Sequence, residues 1–297
     1  MDNCLIRDND YGVFTCNAGT TITTTTISGN TQYGVSSRAQ YLVFPGYQIE
    51  GLAFLNLDNS VIRDNGHGVR HDNAVSFSYS YAYITDTTIS GNEGDGVLGA
   101  GRATTVRNST INANGRYGVV FKGRDSLINS TVTGNTAGGI ATPFTEVIIS
   151  QSTISGNAGP GLSAYGNYAY YAVFHAENSI VANNPSGNCW DASLGHNLSS
   201  DDCESKQPTD ITNTDPMLLP LADNGGPTPT HALVFGSPAI DAGRRRRCEP
   251  TDQRGVVRPQ EGDGDGIARC DIGAFELKFP QLRPSSKPSR IRKPPLP

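Results

Sequence analysis

A short β-prone segment ending in asparagine, followed within a few residues by glycine and an aliphatic side chain, recurs along the chain as far as Asn184. It reads LIRDN (Leu5 to Asn9, then Gly12 and Val13), TISGN (Thr26 to Asn30, then Gly34 and Val35) and VIRDNGHGV (Val61 to Val69). It continues as TISGNEGDGV (Thr88 to Val97), TINANGRYGV (Thr110 to Val119), TVTGNTAGGI (Thr131 to Ile140), TISGNAGPGL (Thr153 to Leu162) and the degenerate SIVANN (Ser179 to Asn184). The anchoring residues Asn9, Asn30, Asn65, Asn92, Asn114, Asn135, Asn157 and Asn183 are 21, 35, 27, 22, 21, 22 and 26 residues apart. Self-similarity at a fixed period constrains a fold more than any local propensity does. A period of about 22 residues is too short for helix-pair repeats of about 33 to 47 and carries no leucine-rich pattern; three short strands and three turns fill it as one coil of a parallel β-helix.

Stacked coils place equivalent side chains above one another at about 4.8 Å, the separation of neighbouring strands, so each column must tolerate its own kind. The column Ile27, Ile62, Ile89, Ile111, Val132 and Ile154 suits an interior. A column of asparagines can satisfy amides along the stack and take the left-handed backbone of a tight turn, and the glycine before Val or Ile is read as the second turn. Eight coils predict a shaft of roughly 38 Å. The 34 glycines, 1 Trp and 2 Met agree with an all-β chain of short strands and turns. The long spacings imply insertions around Ser36 to Leu55 and His71 to Tyr83, which hold Tyr41, Phe44, Tyr47, Phe54, Phe77, Tyr79, Tyr81 and Tyr83, with a further cluster at Tyr165 to Phe174. Alternation in SFSYSYAYI (Ser76 to Ile84) predicts a strand with a packed aromatic face, a sugar-stacking platform being the minority reading.

The formal charge is −5, but six Lys or Arg and no acid lie between Lys278 and Pro297, leaving residues 1–277 at −11. Such a body repels phosphate, so no nucleic acid is expected as a partner. The run Arg244 to Arg247 is expected to be a solvated loop. Six cysteines fall into local pairs without CxxC spacing. The expected disulfides are Cys189–Cys203 and Cys248–Cys270, with Cys4–Cys16 as a third, and they imply an exported, extracellular or cell-surface protein. No run of about 18 apolar residues occurs, so no transmembrane segment is expected, and the chain reads as a monomer. No signal peptide precedes Met1, and Asp2 to Val13 read like the inside of a repeat, so N-terminal truncation is expected.

After Asn184 the repeat fades and four motifs follow in order: LADNGGPTPTHAL (Leu221 to Leu233), SPAIDAG (Ser237 to Gly243), DQRGVVRP (Asp252 to Pro259) and CDIGAFE (Cys270 to Glu276). They closely resemble the module of the choice-of-anchor Q family. The resemblance implies right-handed β-helix repeats ahead of the module, secretion by a bacterium and display at the cell surface. The expected organisation is a right-handed parallel β-helix over residues 1–187 and a choice-of-anchor Q-like module over 188–277. The module would cap the strand edges at the end of the helix, and a disordered, basic, Pro-rich tail would follow over 278–297. The tail shows no sorting motif with a hydrophobic stretch, a departure from the family pattern. Asp223, Asn224, His231, Asp241, Asp252 and Arg254 read as turn formers and buried pairs rather than catalysts.

One segment suggests a metal. In EGDGDGIARCD, Glu261, Asp263 and Asp265 stand at positions one, three and five ahead of Gly266, as in the first half of a calcium loop, and Asp271 is the nearest later acid. Position twelve is Ile272, so the alternative is a plain acidic loop and no cofactor. The GHG of Gly66 to Gly68 is shared with polygalacturonases but lacks their accompanying NTD, DD and RIK, and His67 occupies a repeat position filled elsewhere by Asp95, Tyr117 and Gly138. A lyase needs a basic residue beside acidic ligands, for which the set is Asp72, Asp95, Arg102, Lys122, Arg124 and Asp125. The preferred reading is a non-catalytic secreted or cell-surface shaft for display, adhesion or contact with polysaccharide or cell-envelope components. The alternative is a polysaccharide lyase or glycoside hydrolase of the pectate-lyase-like type. Sequons at Asn108, Asn129 and Asn197 are expected products of the repeat.

Overall fold

A computed structural model describes residues 1–40, 42–44, 47–49, 51–73 and 79–279. Short strands of successive coils pair in parallel to make three sheets of nine, seven and eight strands among these residues. The first sheet runs from Leu5–Arg7 to Leu198–Ser199, the second from Tyr11–Cys16 to Leu162–Ala164, and the third from Gly19–Thr23 to Ala192–Gly195. This is the expected all-β parallel β-helix, with pairing that continues past residue 187. An antiparallel hairpin, Leu42–Phe44 with Tyr47–Ile49, leaves the corner between the second and third sheets. The tail beyond residue 279 lies outside the described residues.

The interior is built from columns. Ile27, Ile62, Ile89, Ile111, Val132 and Ile154 pair in register and are fully buried, as expected. Val35, Val69, Val97 and Val119 meet them from the second sheet, and Leu57, Ile84, Val106 and Leu127 from the third. Each such burial contributes roughly 1.5–3 kcal/mol, which makes the columns the main stabilising term.

The asparagines form a ladder. Each backbone N–H and side-chain amide donates to the Oδ1 of the next rung, and from Asn30 to Asn157 the amide distances are 2.8–3.0 Å. Two details of the sequence reading change. The eighth rung is Asn184, not Asn183. The left-handed backbone falls one residue earlier, at Asp8, Gly29, Asp64, Gly91, Ala113, Gly134, Gly156 and Asn183, which frees the ladder side chain to point inward. The glycine before Val or Ile is also reassigned: it is a point of close approach rather than a turn. A Cβ on Gly96 would lie 2.6 Å from Gly118 O, 2.7 Å from Ile111 Cγ2 and 2.8 Å from Asn114 Nδ2.

A second ladder, not foreseen, turns the corner from the third sheet into the first. The hydroxyls of Ser60, Thr87, Ser109, Ser130, Ser152 and Ser179 each accept the backbone N–H of the preceding rung at 3.1–3.3 Å. Each also donates to the carbonyl two residues earlier in its own coil. Both ladders end alike. Asn188 donates to Asp201, and Asn197, which accepts from Ser179 N, donates to Asp210.

The C-terminal segment meets the last rung where Ile211 bridges Leu198, then runs back along the outer face of the first sheet. Gln253 is buried among Ser109, Thr110, Thr131 and Thr228, His231 reaches Thr133 at 3.0 Å, and Ala274 N donates to Thr153 Oγ1. Asp252 pairs with Arg254, and Arg258 lies 3.3 Å from Glu276, both in the interior of the segment. Ile180, Ala182 and Leu198 share a second apolar core with Leu233, Ala239, Ile240, Ile272 and Phe275. Cys189–Cys203 and Cys248–Cys270 are bonded. Cys4–Cys16 is not. Cys4 stands in the hydroxyl-ladder corner below Thr25, whereas Cys16 ends a strand of the second sheet opposite Arg38, so the two occupy different corners and are exposed.

Candidate functional site

The outer face of the third sheet is exposed for most of its length. Its side chains stack in register, and Tyr83, Thr105, Ser126, Ile148 and His175 form one outward column. Beside it Phe54 pairs with Tyr81, their rings 5.8 Å apart and 14° from parallel. In the strand Ser80–Thr85 it is Ser80, Ala82 and Ile84 that turn inward. The expectation of a packed aromatic face is therefore corrected: Ala82 lies in the inward column between Leu55 and Thr104, and the rings face solvent. The side chains of Tyr41, Phe44, Tyr47 and Phe77 lie outside the described residues.

Towards the C-terminal end the strip deepens into a groove of about 670 Å³ with Ile128, Ile148 and Leu194 on its floor. Glu146, His175, Glu177, Arg246, Arg247 and Glu249 form its walls. Glu146 and Ile148 also border a hollow of about 420 Å³ with Arg124, Asp125 and Ser126, and Leu194 borders one of about 520 Å³ with His196 and Thr209. Shared lining residues place the three side by side along the shaft. The arginine run is exposed, as expected of a solvated loop, and is also fastened as one wall. Arg244 and Arg247 reach Glu177 at 3.1 and 3.5 Å, Arg107 holds Glu249 at 2.7 Å, and Cys248 is bonded to Cys270.

Asp125, at the start of the strand Asp125–Ile128, turns inward opposite the buried Val147 and is a perturbed acid behind this face. Burial pushes its carboxyl up to about 7, although Gly123 N and Thr104 N both donate to it. Glu146 stands 4.0 Å from His175. The arrangement offers rings at one end (Phe54, Tyr81, Tyr83) and apolar Ile148 and Leu194 at the other, joined by the hydroxyls of Thr105 and Ser126 and bordered by charged groups, which suits an extended polymer with both apolar and hydroxyl faces.

Two overlapping stretches, residues 1–142 and 46–205, match the family described as the right handed beta helix region. The chain belongs to the right-handed β-helix family. A crystal structure of pectate lyase Pel9A shares the architecture of this β-helix, with a TM-score of 0.50 and 13% identity over 92% of this chain and 70% of that one. A search of curated proteins finds no match.

The β-helix distributes the residues proposed from sequence unevenly. Arg102, Lys122, Arg124 and Asp125 fall in successive turns at one corner, where Arg124 N donates to Arg102 O. Asp72 is held by Arg38 and Arg70 on the second sheet, and Asp95, just before the N-terminal end of the neighbouring strand Val97–Ala100, accepts from Tyr117 N and lies 3.8 Å from Arg116. His67 stacks on Tyr33 at 5.0 Å, and its Nδ1 faces Asp95 N. Asn129 is buried and donates to Thr251 O.

In the acidic segment, Glu261 and Asp263 come within 4.8 Å of Asp241, an acid from the SPAIDAG motif, and among the described residues these three form the set that could face a cation. Asp241 already accepts from Gly262 N and Arg269 N. Asp265 turns onto Arg269, and Asp271 is interior, receiving Asp241 N and Leu277 N. No helix of the described residues is long and apolar enough to cross a membrane.

Proposed function

We propose that this β-helix is a non-catalytic shaft that holds an extended polysaccharide along the outer face of its third sheet. The observation that carries the reading is the outward row from Phe54 and Tyr81 through Tyr83 to Ile148, continuous with the groove over Leu194. Sugar rings present apolar faces that stack on aromatic side chains, and a flat platform spaced by β-strands accepts several in succession. The disposition of acids favours contact over cleavage. Asp72 is paired with arginines, Asp125 is satisfied by backbone N–H groups, and neither shares a cleft with Asp95.

Display outside a bacterial cell is part of the same proposal. It is supported by two disulfides, which persist in oxidising compartments, and by the four motifs that resemble the choice-of-anchor Q module, from which His231 and Gln253 reach the shaft. The test is retention of the purified chain on neutral and uronate-rich polysaccharides, with unsaturated products and reducing ends followed with and without calcium. Retention without turnover is expected, and the Tyr81→Ala/Tyr83→Ala variant should bind about tenfold more weakly. Turnover that chelation abolishes would replace the shaft reading with a lyase.

A further inference from the structure

The corner between the second and third sheets carries side chains that sheet pairing does not use, and of its cations only Arg124 also borders the hollow beside Ile148. Successive coils turn it at Tyr79–Ser80, Gly101–Arg102, Lys122–Arg124, Phe144–Thr145 and the longer connection 165–172. Their backbones are joined: Arg102 N donates to Ser80 O at 2.8 Å, Arg124 N to Arg102 O at 3.0 Å, and Val173 N to Thr145 O at 3.2 Å. Five such turns at the strand spacing make a ridge of roughly 19 Å along the shaft.

Two kinds of group stand on the ridge. Tyr79, Phe144, Tyr170 and Tyr171 are 53, 47, 70 and 60% exposed, values high for large rings. Tyr165, by contrast, turns away to stack near Tyr117. The cations are Arg102, Lys122 and Arg124. Arg102 lies over Tyr79 at 5.3 Å, and none of the three makes an ion pair among the described residues, unlike Arg38 and Arg70 on the adjoining sheet. Residues 1–277 stand at −11; at these turns the three cations face one exposed acid, Glu146, and the buried, raised Asp125, so the ridge is locally positive against the molecule's field.

Shape narrows the partner. The polysaccharide face is a sheet that deepens into a groove, whereas a corner is the convex edge of a three-sided rod. A soft planar surface can meet such an edge along its whole length. Tyrosine, with an apolar body and a polar tip, settles at the boundary between headgroups and acyl chains, and lysine and arginine are drawn to anionic headgroups. We infer that this ridge lays the shaft along an anionic lipid surface, with the net negative body turned away from it.

The test is co-sedimentation of the full chain with vesicles of phosphatidylcholine alone and of phosphatidylcholine mixed with phosphatidylglycerol. Binding should favour the anionic vesicles and weaken with salt. The Arg102→Gln/Arg124→Gln variant should partition about thirty-fold less well, and Tyr170→Ser/Tyr171→Ser should lose affinity for both vesicle types. These positions are exposed, so the melting temperature of each variant should match the parent's. Tyr81→Ala/Tyr83→Ala should bind vesicles normally, which separates this surface from the polysaccharide face; the vesicles contain no glycan. No sedimentation by the parent chain, or sedimentation indifferent to the ridge substitutions, overturns the inference. So does a ridge that governs binding of acidic polysaccharide while vesicles are ignored.

Discussion

At the scale of single residues, the interior of the rod holds two titratable groups with opposite effects on stability. Burial lowers His71 to about 4, with Nε2 on Ser80 Oγ and Nδ1 unpartnered, whereas Asp125 is pushed up to about 7. An acid raised in the folded state is protonated there but not in the unfolded chain between about pH 4 and 7, so its share of stability falls as pH rises through that window. A base lowered in the folded state works the other way, its share rising between about pH 4 and 6.5. The two slopes oppose each other. Asp125→Asn removes the falling one, so the urea midpoint of the variant should climb with pH between about 4 and 6.5 more steeply than the parent's. Parallel profiles would mean that Asp125 titrates as an ordinary carboxylate.

At the scale of the strand and turn, glycine spacing decides whether coils can stack. Gly96→Ala pushes a methyl group into Gly118 O, Ile111 and Asn114 and should cost about 2–3 kcal/mol. Gly19→Ala, on a strand with nothing within 4 Å of the added atom, should be neutral or slightly stabilising. Equal denaturation midpoints for the two would refute the close-packing account. The same level explains what could be read beforehand. The isoleucine column and the asparagine period are visible because like stacks on like, and a motif repeats where a column must. The glycine was misread because its role lies between coils, against Gly118 O and Asn114, rather than within its own turn. The hydroxyl ladder had a signal, Ser or Thr just before each TIS-like strand, that ordinary strand composition masks. The outer strip had none: Tyr83, Thr105, Ser126, Ile148 and His175 are related only by register.

At the scale of the whole molecule, a strap from Asp210 to Leu277 stitches distant coils together. Gln253 meets residues 109 to 131, Glu249 meets Arg107, and Arg244 meets Glu177. Its one covalent closure, Cys248–Cys270, spans 22 residues. The Cys248→Ala/Cys270→Ala variant should lose about 3 kcal/mol and release the arginine wall, so that its melting temperature drops and the thiol-free loop becomes sensitive to protease. A drop without protease sensitivity would show the wall to be held by its ion pairs alone.

The asparagine ladder, finally, has a direction. Every ladder amide donates its hydrogen bond towards the C-terminal end, so the small dipoles add, and the last donor meets the Asp201 carboxylate. A carboxylate accepts from two partners but hands nothing on. Coils can therefore be duplicated anywhere before Asn188 without disturbing the relay, because each new asparagine receives and gives alike. Beyond Asp201 the relay has no donor. Such rods are free to vary in length by gain or loss of whole coils while keeping the same terminus, and the place where growth stops is written in two aspartates, Asp201 and Asp210.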